Sequence, residues 1–317
     1  MAAGACGPST PSASPHPSTT IAEGGAPAPL NPAAIVSDGT SALWFSEFSG
    51  GRIGRITTSG VITQFGLSPA RTEPVGIAIR DGTVWFSDSA HKELGRMAPD
   101  GSVTRIPVSS YTRAITFTAN GEPWFAYGFE PVVGTIGASG SLSDHPLRAE
   151  NSEAEDLTVG PDANLWFTDP VANRIGSISP RGEVVDHACP TPSCGPSQIT
   201  AGADGAMWFT EKTGNRIGRI TLSGSFTEYP LPSPASGPDG LTLGPDNQIW
   251  FTENSASRIG SISSTGQIHE FALRRKSSGP LGIVAGPDGA LWFTEFASAR
   301  IGRITRHGAV TEFSVPR

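Results

Sequence analysis

Short runs of alternating apolar and polar residues fill most of this chain, and glycine-bearing turns separate them. A period of two is the mark of a strand with one buried face. The runs recur in groups, each centred on a Trp-Phe pair. The tryptophans are Trp44, Trp85, Trp124, Trp166, Trp208, Trp250 and Trp292, spaced 41, 39, 42, 42, 42 and 42 residues apart. Ten residues after each comes a glycine set between larger residues, from Gly54 in the first repeat to Gly302 in the last. A turn glycine follows six residues later, from Gly60 to Gly308. A period in this range signals a repeat architecture.

Residues 196–231 show what one repeat predicts. Ser197–Ala201 reads as strand a, and Asp204-Gly205 supplies a tight turn. Ala206–Glu211 reads as strand b, 212–215 as a loop and Arg216–Thr221 as strand c. Gly224 turns the chain into strand d, Ser225–Pro230. Four antiparallel strands per ~40–45 residues make one blade of a β-propeller. The expected fold is therefore all-β, a seven-bladed propeller spanning 31–317, with Trp-Phe pairs filling the spaces between blades. The last repeat carries its own strand d, so an N-terminal closing strand is not required; residues 20–23 offer a weak second candidate for that edge.

Composition narrows the picture. Of 317 residues, 39 are Gly and 28 Pro, which excludes an all-α fold. Residues 1–30 are rich in Pro, Ser, Gly and Ala and read as a disordered tail or tether. The net charge of −7 argues against a nucleic-acid partner. No apolar run approaches the ~20 residues of a membrane helix, so no transmembrane segment is expected. Cys189 and Cys194 flank a turn-rich loop and are spaced to close a small disulfide, with two unpaired thiols as the alternative. Cys6 follows Ala-Gly-Ala and suggests a lipid anchor ahead of the tether. These features together predict an extracytoplasmic monomer.

Chemistry is expected on the face that carries the d-to-a and b-to-c loops, because those loops vary while the opposite turns are uniform. The first residue of each strand a should approach the central channel: Ala33, Val75, Arg113, Glu155, Ser197, Asp239 and Leu281. Three residues after Trp stands an acid in six blades, and five residues later an arginine in five of them. Such neighbours predict cross-strand ion pairs such as Glu211–Arg216. Blades two and three break the rule: Asp88 faces Glu93, and Tyr127 takes the acid's place. With Tyr111, Arg113, His91 and the acids Glu150, Glu153, Glu155 and Asp156, blades two to four are expected to present an unpaired polar cluster. A salt bridge between Arg113 and Glu155 is the structural alternative.

The repeat as a whole resembles that of the virginiamycin B lyases, also called streptogramin lyases. The residues carrying the likeness are Gly286-Pro287-Asp288-Gly289, Leu291-Trp292-Phe293-Thr294-Glu295, Arg300-Ile301-Gly302-Arg303-Ile304 and Thr311-Glu312-Phe313, with their counterparts in all seven repeats. The resemblance implies a lyase that opens a cyclic depsipeptide by eliminating its ester linkage. It also implies a divalent metal, usually magnesium, and a histidine base with nearby glutamates. That base belongs in a Glu-Pro-His-Gly stretch of the last blade, which here reads Gly279-Pro280-Leu281-Gly282. A second Pro-His reads Pro238-Asp239, a late glutamate is Phe296, and Glu73-Pro74-Val75-Gly76 keeps the Glu but has Val for His. The expectation is a lyase-like propeller that binds a small molecule but is not an efficient streptogramin lyase. Its alternative is a non-catalytic propeller for a ligand, glycan or protein. The candidate residues are His91 as base, Glu73, Asp88 and Glu155 as metal ligands, and Tyr111, Arg113, Tyr127 and Asp239 for substrate.

Overall fold

The computed structural model describes residues 30–149 and 151–317. The expectations placed on the tail, on Cys6, on residues 20–23 and on Glu150 lie outside the described residues. Among the described residues, 28 strands form seven four-stranded antiparallel sheets, and there is no helix. Each sheet comes from one contiguous repeat and runs a-b-c-d. Blade five consists of Pro196–Ala201, Met207–Glu211, Arg216–Ile220 and Phe226–Pro230, within one residue of the sequence prediction at each strand end.

The Trp-Phe pair explains why blades stack. Adjacent residues of a strand point to opposite faces. Phe209 packs with Trp166 of the blade before it, and Trp208 packs with Phe251 of the blade after. The ring closes by the same contact, because Trp292 of blade seven packs with Leu43 and Phe45 of blade one. No strand is shared across that seam. Asn31 Nδ2 donates to the Phe296 carbonyl and Gln64 Nε2 to that of Pro316, both at 3.0 Å. Within each blade the Phe ring lies flat over strand c, which explains the central glycine. A Cβ on Gly218 would stand 2.1 Å from Phe209 Cζ.

Strand a opens with a bulge. In blade five Pro196 opposes Glu211 and Ile199 opposes Phe209, so Ser197 and Gln198 share Thr210. The same shift recurs in blades one, two, three, six and seven. The hydroxyl opposite the bulge joins two blades. Thr210 Oγ1 accepts from Gln198 N at 3.1 Å and donates to the Asp239 carbonyl of the next blade at 2.7 Å. Ser46, Ser87, Thr168, Thr252 and Thr294 do the same, with inter-blade bonds of 2.5 to 2.9 Å. In blade three the position is Ala126, and there Arg113 pairs with Glu155 across the seam instead.

The remaining sequence features find structural places. His145 stacks on Trp124 and His187 on Trp166, as Tyr229 stacks on Trp208. Cys189 and Cys194 form a disulfide in the loop leading into blade five. Gly218→Ala should cost about 1–3 kcal/mol through overpacking. Thr210→Val, which keeps shape but strands two buried backbone groups, should also cost about 1–3 kcal/mol. Denaturant unfolding monitored by tryptophan fluorescence checks both, and wild-type midpoints would contradict the packing described.

Candidate functional site

The bulge decides what faces the axis. In the six blades that carry it, the bulge turns the first residues of strand a into the central channel, and blade four supplies Glu155 from just ahead of its strand a, Leu157–Val159; together they line a cavity of about 380 Å³. Blades three to six contribute Arg113, Glu155, Ser197 and Asp239, and Lys212 joins them from the b-to-c loop of blade five. Blades one, two and seven contribute Ala33, Val75 and Leu281. Below these, Ile35, Ile77 and Ile283 continue the apolar side. The cavity is thus split into a charged arc and an apolar arc.

The charged arc is wired between blades. Lys212 Nζ lies 2.5 Å from Asp239 Oδ2, and Ser197 Oγ donates to Asp239 Oδ1 at 3.0 Å. Asp156 Oδ2 accepts from Ile199 N at 3.0 Å. Burial, reinforced by the Asp239 charge and offset by backbone N–H groups, pushes Asp156 up to about 6. Lys212 is the group that sequence reasoning missed. Its signal was present: the matching residues in the other blades are Phe48, Ser89, Gly128, Pro170, Asn254 and Phe296, none of them a cation.

The other expected residues are not brought together. Tyr127 is 1 % exposed and packs in the blade core against Phe125, which removes it from the ligand-facing set. Asp88 is fully buried and pairs with Arg105 at 2.6 Å and with His91 Nδ1 at 3.0 Å, while its other oxygen accepts from Glu73 N and Ala90 N. Glu73 meets Ser89, and Glu155 meets Arg113. Glu73, Asp88 and Glu155 therefore do not fit a shared metal ion, because the oxygens of Asp88 are already engaged and Glu155 belongs to a different wall. Among the described residues no three His, Cys, Asp or Glu side chains converge as metal ligands. His91 stands on the b-to-c loop of blade two and does not line the cavity. Tyr111 lies outside the cavity too, edge-on to Phe129 and beneath Lys92 Nζ at 5.0 Å. Phe129, held at φ 68° and 67 % exposed, stacks under the Arg113 guanidinium at 5.2 Å. Of the polar cluster expected on blades two to four, Asp88, His91, Arg113, Glu155 and Tyr111 are engaged in ion pairs and cation–π stacks.

The acid-arginine expectation also needs correcting. Register places Glu211 opposite Arg216 as foreseen, but the arginine turns to Glu228 on strand d, at 4.0 Å. Arg174, Arg258 and Arg300 likewise reach Asp186, Glu270 and Glu312. The strand-d carboxylate has further donors to hold its charge, since Thr191 and Ser233 of the preceding loops bond Glu228 and Glu270. The strand-b acid is sealed beside it, with Glu211, Glu253 and Glu295 all 0 % exposed. Burial above all, with the neighbouring Glu228 adding to it, pushes Glu211 up to about 8, and burial beside Glu270 pushes Glu253 up to about 7.

That arrangement has a pH signature. An unfolded glutamate titrates near 4.5, so between about 4.5 and 8 the folded chain keeps protons that the unfolded chain releases. Stability should be greatest at the acid end of this window and fall as pH rises through it. Glu211→Gln should flatten the fall and raise the melting temperature at pH 8 and above. Calorimetry of both proteins from pH 5 to 9 checks it, and a wild-type stability that rises with pH would contradict it.

A comparison with known proteins bears on the same arrangement. The family model of the virginiamycin B lyases matches residues 20–150 and 107–317. A solved streptogramin B lyase is 31% identical, with 90% of this chain and 95% of that one covered and a TM-score of 0.84. Virginiamycin B lyase from Staphylococcus aureus is 36% identical over 78% of this chain and 85% of that one, with a TM-score of 0.76. A catalytically inactive His-to-Ala variant of that enzyme, solved with quinupristin, matches equally well, at 36% identity, 78% and 86% coverage and a TM-score of 0.76. No curated protein sequence matches the chain. With the repeat, the ring and the family match in agreement, the chain belongs to the virginiamycin B lyase family.

Proposed function

We propose that this propeller binds a small amphipathic molecule in its central channel and does not open streptogramins efficiently. The observation that carries the reading is the blade-seven corner. The stretch that resembles the family's base-bearing segment puts Leu281, not histidine, on the cavity wall. None of the five histidines among the described residues lines that cavity. Phe296, where the resemblance implies a glutamate, lies instead 6.4 Å from the Phe48 ring of blade one. The inactive histidine variant of the S. aureus enzyme supports the weight placed on this side chain. A general base contributes roughly 10²–10⁴-fold to a proton-transfer step. Without one, the channel keeps the concave, part-apolar character of a binding site.

Two further points belong to this reading. The Cys189–Cys194 disulfide supports an extracytoplasmic location. Among the described residues no helix is long and apolar enough to cross a membrane. The ligand is read as a small molecule because a cavity of about 380 Å³ falls in the size range of small-molecule pockets and is too narrow for a glycan chain or protein segment to enter whole.

Incubation with quinupristin and magnesium at enzyme excess tests the loss of lyase chemistry. Chromatography with mass spectrometry should return the intact cyclic compound. Elimination across the ester gives a linear product of unchanged mass with shifted elution and new fragments, and its appearance at more than a trace rate would overturn the reading.

A further inference from the structure

The channel's two arcs and their hydrogen bonds select a ligand class. We propose that the channel takes an amphipathic carboxylate, its anionic head on Lys212 and its apolar body against Leu281, Ile283 and Val75. This rests on the channel being a ligand site, as argued above, and adds which chemistry it selects.

The Lys212–Asp239 pair is unequal in a way that matters. Asp239 is the buried partner: its side chain is 7 % exposed, against 53 % for that of Lys212. Both Asp239 oxygens are engaged, one by Lys212 and the other by Ser197 Oγ. An ammonium carries three N–H donors, and Asp239 engages one. Lys212 therefore has donors left at the cavity, while each Asp239 oxygen already accepts one bond and its side chain is only 7 % exposed. An incoming carboxylate adds a partner to Lys212 without breaking the pair. An incoming ammonium meets the exposed Lys212 as a like charge, in front of a carboxylate that is buried and already paired.

The position also fits a two-ended molecule. Lys212 and Asp239 belong to blades five and six, while Ala33 and Val75 belong to blades one and two. The head and the body of an amphiphile thus find opposite walls of one cavity. Arg113, the other cation of the charged arc, is paired with Glu155 and stacked on Phe129, so it is held in place on the rim of blade three. Lys212 is the more exposed of the two, its side chain 53 % exposed against 30 % for Arg113. A single carboxylate is the commitment, because one cation of the cavity, Lys212, combines this exposure with unengaged donors and no stacking contact.

Titration calorimetry of the full chain with octanoate, octanol and octylammonium tests this. Octanoate should bind at least tenfold more tightly than octanol, and octylammonium more weakly than both. Lys212→Met should erase the difference between octanoate and octanol, and Lys212→Arg should retain it. Because Lys212→Met leaves Asp239 unpaired, the double variant with Asp239→Asn serves as a neutral pair if the single variant loses its fold by circular dichroism. Leu281→Asn should weaken octanoate and octanol alike. Equal binding of octanoate and octanol to the wild type, or preference for octylammonium, overturns the proposal while the channel remains a binding site. Failure of all three to bind overturns the amphipathic-ligand reading itself.

Discussion

The fold of this propeller depends on how one hydroxyl is used at the inner end of six of its seven blades. The Ser or Thr before the strand-b acid accepts from the bulged residue of its own strand a and donates to the carbonyl of the next blade's bulge. One side chain thereby fixes the bulge, the angle between blades and the direction in which the first strand-a residues point. A bulge re-aims side chains at the rim of a sheet. Here the re-aimed residues meet around the axis, and their identity alone sets the chemistry of the channel. The scaffold is uniform, and the residues it aims inward are not.

That separation lets the residues on the channel wall vary without any change in the backbone that aims them. Leu281 keeps the Pro-x-Gly frame of its stretch, and Gly282 still receives its bond to Thr294 Oγ1 at 2.9 Å. The backbone frame is that of the other blades, and the side chain it puts on the wall is apolar. Blades five and six show the same freedom, since Asp239 sits in an unchanged bulge and has recruited Lys212 from the neighbouring blade. Further out, the strand-d carboxylates of blades five and six tie the preceding loop to the blade, with the buried strand-b acids Glu211 and Glu253 beside them. Their pH dependence belongs to the seams and not to the channel.

The features legible in the sequence were those that recur because a local constraint recurs. A Phe ring over strand c demands glycine in every blade, so Gly54 through Gly302 could be read directly. Strand-a starts could be placed on the channel from repeat phase alone, and all seven line it. Pairings that involve a third strand or a second blade were not legible. Glu211 and Arg216 do face each other, yet strand d intervenes and Arg216 goes to Glu228. Asp88 does oppose Glu93 in register, but its ion-pair partner Arg105 lies 17 residues away on strand d. Tyr127 looked like a surface exception to the acid rule, although burial of its ring in the blade core is what the exception serves. Lys212 and Asp239 are separated by 27 residues and a blade boundary, so only alignment of the repeats on one another would have marked the lysine.

The central claim is that ligand enters the channel between the blade-five lysine and the blade-seven leucine. Hydrogen-deuterium exchange of the full chain with and without saturating octanoate tests it most directly. The account predicts protection confined to peptides spanning 211–215 and 279–283, at the two walls that would hold the head and the body. Protection instead around Tyr111 and Phe129 on the outer rim, with those two peptides unchanged, would contradict it.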